Sequence, residues 1–190
     1  QIRGMRQAKR NSNDAISMIQ TAEGGLNEIS NIVIRLRELS VQAASDTIGE
    51  TERGFSDIEF QELKTEIDRI SRSAEFNGIA LLDGTGGLLE FQIGINNDAI
   101  LDRMQYDGVK ANATLASLGL TAETIVNKQG AQLSLQRLDD ALVQINGVRA
   151  TLGATQNRLT SVVNNLAISD ENLSAAKSRI RDVDVASETA

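Results

Sequence analysis

Four groups of residues in this chain have types and spacings that could do chemistry. Gly84, Gly86 and Gly87 crowd into a stretch that could cradle a phosphate. Asn96-Asn97-Asp98 with Asp102 offers hard oxygens to a divalent cation. Arg3, Arg6, Lys9 and Arg10 gather positive charge that could hold an anion. Asn112-Ala113-Thr114 and Asn172-Leu173-Ser174 fit the acceptor pattern for N-glycosylation.

Each has a plainer reading. No Gly-Lys-Ser/Thr follows the glycines, so they are read as turn residues rather than a phosphate loop. The oxygens lack calcium-loop spacing and a closing Glu, so they are read as a solvated loop and no metal is expected. The basic cluster is read as a solvated helix end in an acidic chain of net charge −7. The glycosylation pattern is short and frequent by chance.

The composition removes whole classes of function. There is no His and no Cys among the 190 residues. That excludes Ser–His–Asp and Cys–His catalysis, disulfide staples and thiolate metal sites. Neither an enzyme nor a cofactor is expected. The acidic balance opposes nucleic acid as a partner, because phosphate binding needs a basic face. No apolar run approaches the roughly 20 residues that span a membrane.

The elements that would position any site are helical. Large aliphatics recur every seventh residue at Leu138, Ile145, Leu152, Leu159, Leu166, Leu173 and Ile180, with Ala141, Val148, Thr155, Val162, Ser169, Ala176 and Val183 three positions on. This is the seam of a helix packed lengthwise on other helices, expected over about 131–182. A first helix is expected over about 1–45. Its stripe steps by 4 and 3 through Ala15, Ile19, Ala22, Leu26, Ile29, Val33 and Leu36. Gly24-Gly25 interrupts it, which suggests close approach of another backbone. Residues 45–54 read as a loop. Ser56 then caps a shorter helix, with Glu59 at the capping-box position and the stripe Phe60, Leu63, Ile67, Ile70 and Ala74.

Phe76-Asn77-Gly78 ends that helix. Residues 79–82 and 88–93 read as a β-hairpin across 83–87. Residues 94–129 are mixed, with one more short strand near Ile100 to Met104. The expected fold is mainly α: an elongated bundle of two long helices and one shorter helix, with a small β-hairpin region. The absence of Pro allows long unbroken helices.

Five blocks in this chain resemble bacterial flagellin, in family order. They are 11–29, 35–42, 66–70 with 76–78, 152–159 and 178–184. Matching stretches cover about 130 of the residues. The resemblance implies a single flagellin core domain over 1–190. Residues 1–93 and 131–190 build it, and 94–130 is a short connecting region. It further implies a structural subunit of the extracellular flagellar filament, partnered by other subunits. The family's terminal helices have no counterpart here, so the chain alone is expected to be monomeric and not to polymerise normally.

The resemblance also implies a recognition site for vertebrate Toll-like receptor 5. Its Arg, the Leu four residues later and the Glu on the adjacent helix fall on Arg35, Leu39 and Glu59. Arg37, Glu38 and Gln42 complete the receptor or subunit contact face. From the residues alone, Leu39 belongs to the core stripe, and Arg35 and Glu59 are solvated. Ser117 and Thr114 are candidate modification sites by family habit. Two rivals are a hook–filament junction protein and a generic coiled-coil scaffold. The zinc peptidase that some flagellins carry needs His-Glu-x-x-His, which a chain without His cannot supply.

Overall fold

The computed structural model describes residues 1–188, with side chains described through Arg179. Ile180 and Val183, the last steps of the heptad ladder, lie outside the described side chains. Three helices carry most of the chain: α1 (Ile2–Ala43), α2 (Glu50–Ser73) and α3 (Lys128–Glu188). Between α2 and α3 lie β1 (Glu75–Phe76), β2 (Ile79–Ala80), β3 (Leu88–Gln92) and β4 (Arg103–Asp107).

The helices form where their apolar period says they should. All seven residues of the α1 stripe from Ala15 to Leu36 are fully buried. On α3, Leu138, Ile145, Leu152 and Leu159 are buried, while Leu166 and Leu173 keep the period but are half-buried. On α2 the buried row is Phe60, Lys64, Ile67 and Ser71. Leu63 and Ile70 sit one position earlier and flank that row half-buried.

Helix α2 starts six residues before the expected Ser56 cap. Gly49 is the N-cap, in extended backbone without a side-chain cap bond. Glu50 and Glu52 place negative charge in the first turn, where the helix dipole favours it. The Ser56 hydroxyl donates to the Glu52 carbonyl inside the helix. Arg53, expected in a loop, instead turns back on α1. Its Nε donates to the Ala43 carbonyl at 2.7 Å and an Nη to the Ser45 carbonyl at 2.8 Å. Ala43 is the last residue of α1, where helical carbonyls lack partners within the helix, and Ser45 lies just beyond it.

The expected hairpin is also revised. Asn77 and Gly78 both take positive φ, 52° and 75°, which a two-residue hairpin turn requires. Residues 79–80 therefore pair backward with 75–76, in register Glu75↔Ala80 and Phe76↔Ile79. Strand β3 pairs with β4, which begins three residues later than the expected strand. Leu81 and Leu82, expected in a strand, lie outside both strand pairs and are fully buried core.

Gly25 explains half of the glycine pair. A Cβ there would lie 2.8 Å from Leu82 Cδ1 and 3.5 Å from the Ala74 Cβ. Side chains, not another backbone, make the close approach, and Gly24 faces open space.

Two compact units divide the chain. The first holds Gln1–Met18, Glu90–Tyr106 and Ala154–Ala190; the second holds Ile19–Leu89 and Asp107–Gly153.

Candidate assembly and recognition surface

The second unit presents the stretch from Ile34 to Gln42 on α1. Leu36, Leu39 and Ser40 face the core, and the remaining side chains are exposed. The helical period sends Arg35 and Arg37 to opposite flanks of the buried face. Arg35 reaches α2, where its Nε lies 2.9 Å from Glu59 Oε1, and its Nη1 lies 3.0 Å from Glu38 on its own helix. Arg37 reaches α3, with Nε 2.6 Å from Asp139 Oδ1. The hydrogen bonds Arg35 donates to Glu38 and then Glu59 push its guanidinium pKa further up. The hydrogen bond from Arg37 holds the Asp139 carboxyl below its ordinary value. All five residues of these pairs are substantially exposed, so these bonds orient the surface more than they stabilise the fold.

A second cross-helix pair, Glu23–Arg149 at 3.9 Å, lies further along the same two helices. From Arg37 to Glu23 the α1 numbers fall as the α3 numbers rise from Asp139 to Arg149, so the helices run antiparallel there. In the first unit Arg6 pairs with Asp170 at 3.0 Å, again joining α1 to α3.

The expected contact residues thus divide. Arg35, Arg37, Glu38, Gln42 and Glu59 are all exposed. Leu39 is 3% exposed and continues the core stripe, as its helical phase requires. Around them sit exposed aliphatics and an exposed aromatic: Ile34 and Val41 on α1, Phe55 and Ile58 on α2.

The candidate groups in the loops are absorbed by local structure. The Asp102 carboxylate accepts from the backbone N–H of Asn96 and Asp98, and Asp98 accepts from Ile100 and Leu101. A Cβ on Gly94 would collide with Asp102 Oδ1, so that carboxylate needs a glycine beside it. Gly84 and Gly87 have positive φ, and Asp83 accepts from Thr85 between them. Thr114 Oγ1 donates to Asn112 Oδ1, and Ser117 Oγ to the Asn112 carbonyl.

A polar latch on α2 escaped the sequence analysis. Lys64 is buried, and its Nζ donates to the carbonyls of Thr121 and Glu123 at 3.1 and 2.7 Å and to Gln61 Oε1 at 3.0 Å. Burial pushes its ammonium pKa down. Asp57 accepts from the Ile125 N–H and the Thr124 hydroxyl. One helix thus holds the segment entering α3 through both its donors and its acceptors. A signal existed: Phe60, Lys64 and Ile67 step by 4 and 3, which puts the lysine in the apolar phase.

Two family models match the chain. The bacterial flagellin N-terminal helical region matches residues 1–86, and the bacterial flagellin C-terminal helical region matches residues 135–190. The flagellin of Halalkalibacterium halodurans is 43% identical over 188 residues, covering 99% of this chain and 68% of that protein. The crystal structure of Bacillus cereus flagellin aligns at a TM-score of 0.74 and 35% identity, covering 88% of this chain and 94% of that one. A putative flagellar hook-associated protein from Vibrio parahaemolyticus aligns at a TM-score of 0.72 with 14% identity, covering 92% of each chain. That last likeness shows a common fold alone.

Proposed function

The chain belongs to the bacterial flagellin family, whose members are structural subunits of the extracellular flagellar filament and not enzymes, and from this premise we propose how its surface serves assembly and recognition. The helices pack laterally and axially on those of other copies. The face formed by Arg35, Arg37, Glu38, Gln42 and Glu59 is a contact face, and Toll-like receptor 5 of vertebrates grips it when subunits are free. The chain acts as one core domain with 94–130 as its connecting region. Helices α1 and α3 each contribute residues to both compact units, which favours that view.

The observation that supports the recognition reading most is the Arg35 pairing. One guanidinium is bonded to Glu38 on α1 and Glu59 on α2, so two helices present a single fixed charged motif. Arginine in such a setting is a frequent hot spot of protein contacts. Leu39 supports this face from beneath rather than touching a partner, because it is buried.

A receptor reporter assay on Arg35→Ala and Glu59→Ala tests the recognition reading. Each is expected to weaken the response about tenfold. An unchanged response in both would sink it. Arg35→Asp in the full-length protein tests the assembly contact, and filaments of normal length and yield would argue against that role.

A further inference from the structure

The formal charge is distributed unevenly between the two units. The second unit holds 17 Asp and Glu against 10 Lys and Arg, and the first holds 9 of each. The whole balance of −7 therefore sits in the second unit. Its cations are largely consumed at home. Seven of the ten lie within 4.0 Å of a carboxylate of the same unit. Arg53 and Lys64 point inward to carbonyls.

One helix face concentrates what is left. Phe55, Ile58 and Glu62 step by 3 and 4 along α2 and so share a face. Phe55 is 69% exposed and Ile58 63%. Glu62 is exposed and has no hydrogen-bond or ion-pair partner among the described residues. An aromatic, an aliphatic and an unpaired acid in a row are the make-up of a contact site, since large apolar groups gain from leaving water.

The first unit carries the opposite face. Gln1–Met18 contains four bases and one acid. Arg3, Arg6 and Arg10 step by 3 and 4 and are all exposed. Arg6 is held by Asp170. Arg10 bonds only the neutral Gln7, and Arg3 has no partner among the described residues.

We infer that the Arg3–Arg10 row of one copy docks on the Phe55–Glu62 row of a second copy. The two rows have the same spacing and complementary charge. A guanidinium can lie over the Phe55 ring while its neighbour one or two turns away pairs with Glu62. The contact joins two different surfaces of one chain, so each copy keeps a free face for the next, as a growing filament requires. The inference rests on the filament reading above and specifies which faces meet.

The test uses the full-length protein and measures elongation from filament seeds by light scattering at fixed ionic strength. Arg10→Glu and Glu62→Arg are each expected to slow elongation about tenfold, as like charges meet. Both together are expected to recover to within about threefold of the natural rate, because the pair is restored with its charges exchanged. Both positions are exposed, and unchanged helical circular dichroism verifies folding. The chain has no Cys, so Arg10→Cys with Glu62→Cys gives a clean cross-link test. Oxidised filaments of that double variant should yield a ladder of linked oligomers, and either single variant at most dimers. Natural elongation by Arg10→Glu, a double variant no faster than the single ones, or no ladder from intact filaments would overturn the docking while leaving the filament reading in place. A natural protein that forms no filament would remove that reading and the docking together.

Discussion

The Arg37 guanidinium of α1 lies 2.6 Å from the Asp139 carboxylate of α3, while Arg35, two residues earlier, turns to Glu59 of α2. One helix therefore grips two others through arginines on its opposite flanks. Between them Leu36 is buried in the seam all three helices require. The geometry follows from 3.6 residues per turn, which places positions 35 and 37 roughly 200° apart.

These pairs give acid sensitivity a definite sign. The Asp139 carboxyl is held below its ordinary value of 3.8 by the bond from Arg37, and Asp46 by the bond from Lys128. The folded state then binds fewer protons than the unfolded chain as the pH falls. The stabilisation is present above about pH 4 and is lost as the pH drops through the lowered folded values. The melting temperature is expected to be flat from pH 7 to pH 5 and to fall below about pH 4. Asp139→Asn should make that decline shallower. Identical acid limbs in both proteins would contradict the pairing.

Arg53→Ala is expected to destabilise by about 2 kcal/mol, since the Ala43 and Ser45 carbonyls lose a charged donor. Urea denaturation followed by circular dichroism measures this. A loss of less than about 0.5 kcal/mol, the scale of an ordinary surface substitution, would show that the cap contributes little.

Lys64 predicts behaviour at the alkaline end. Burial lowers its pKa from the ordinary 10.5, so the unfolded chain holds this proton at pH values where the folded chain has released it. The lysine's unfavourable contribution is full at low pH and is relieved as the pH rises through the lowered folded value. Lys64→Met is expected to cost about 2 kcal/mol at pH 7, by stripping the Thr121 and Glu123 carbonyls of their donor. The gap between natural protein and variant should widen just below pH 10.5, where only the natural chain gains this relief. Parallel stability curves for the two proteins from pH 8 to pH 10.5 would refute the assignment.

The glycine pair predicts asymmetry. Gly24→Ala meets open space and should stabilise α1 by about 0.5–1 kcal/mol through helix propensity. Gly25→Ala must displace the Leu82 methyl and should return little or none of that gain. Thermal melts of the two variants compare them directly. Equal gains would show that Leu82 yields freely.

Much of the fold was legible because a packed helix writes its period into the chain. Ala15 to Leu36 repeats by 3 and 4 and is buried throughout, and every seventh residue from Leu138 to Leu159 is buried as well. The flagellin blocks, the missing His and Cys and the acidic balance likewise needed no coordinates. The α2 start was misplaced because Gly49 and Gly54 look like loop punctuation, whereas Gly49 is the cap and Gly54 lies within the helix.

The sequence alone determined the course of the long helices, the family and the exclusion of histidine and cysteine chemistry, since each depends on residue types and short-range spacing. The tertiary structure decided which partner each element took. It took Lys64 of α2 to the Thr121 and Glu123 carbonyls of the segment entering α3, Arg35 of α1 to Glu59 of α2, and Arg37 of α1 to Asp139 of α3. Those outcomes depend on contacts between residues far apart in the chain, where burial, charge pairing and carbonyl satisfaction compete, and a local pattern carries no record of that competition.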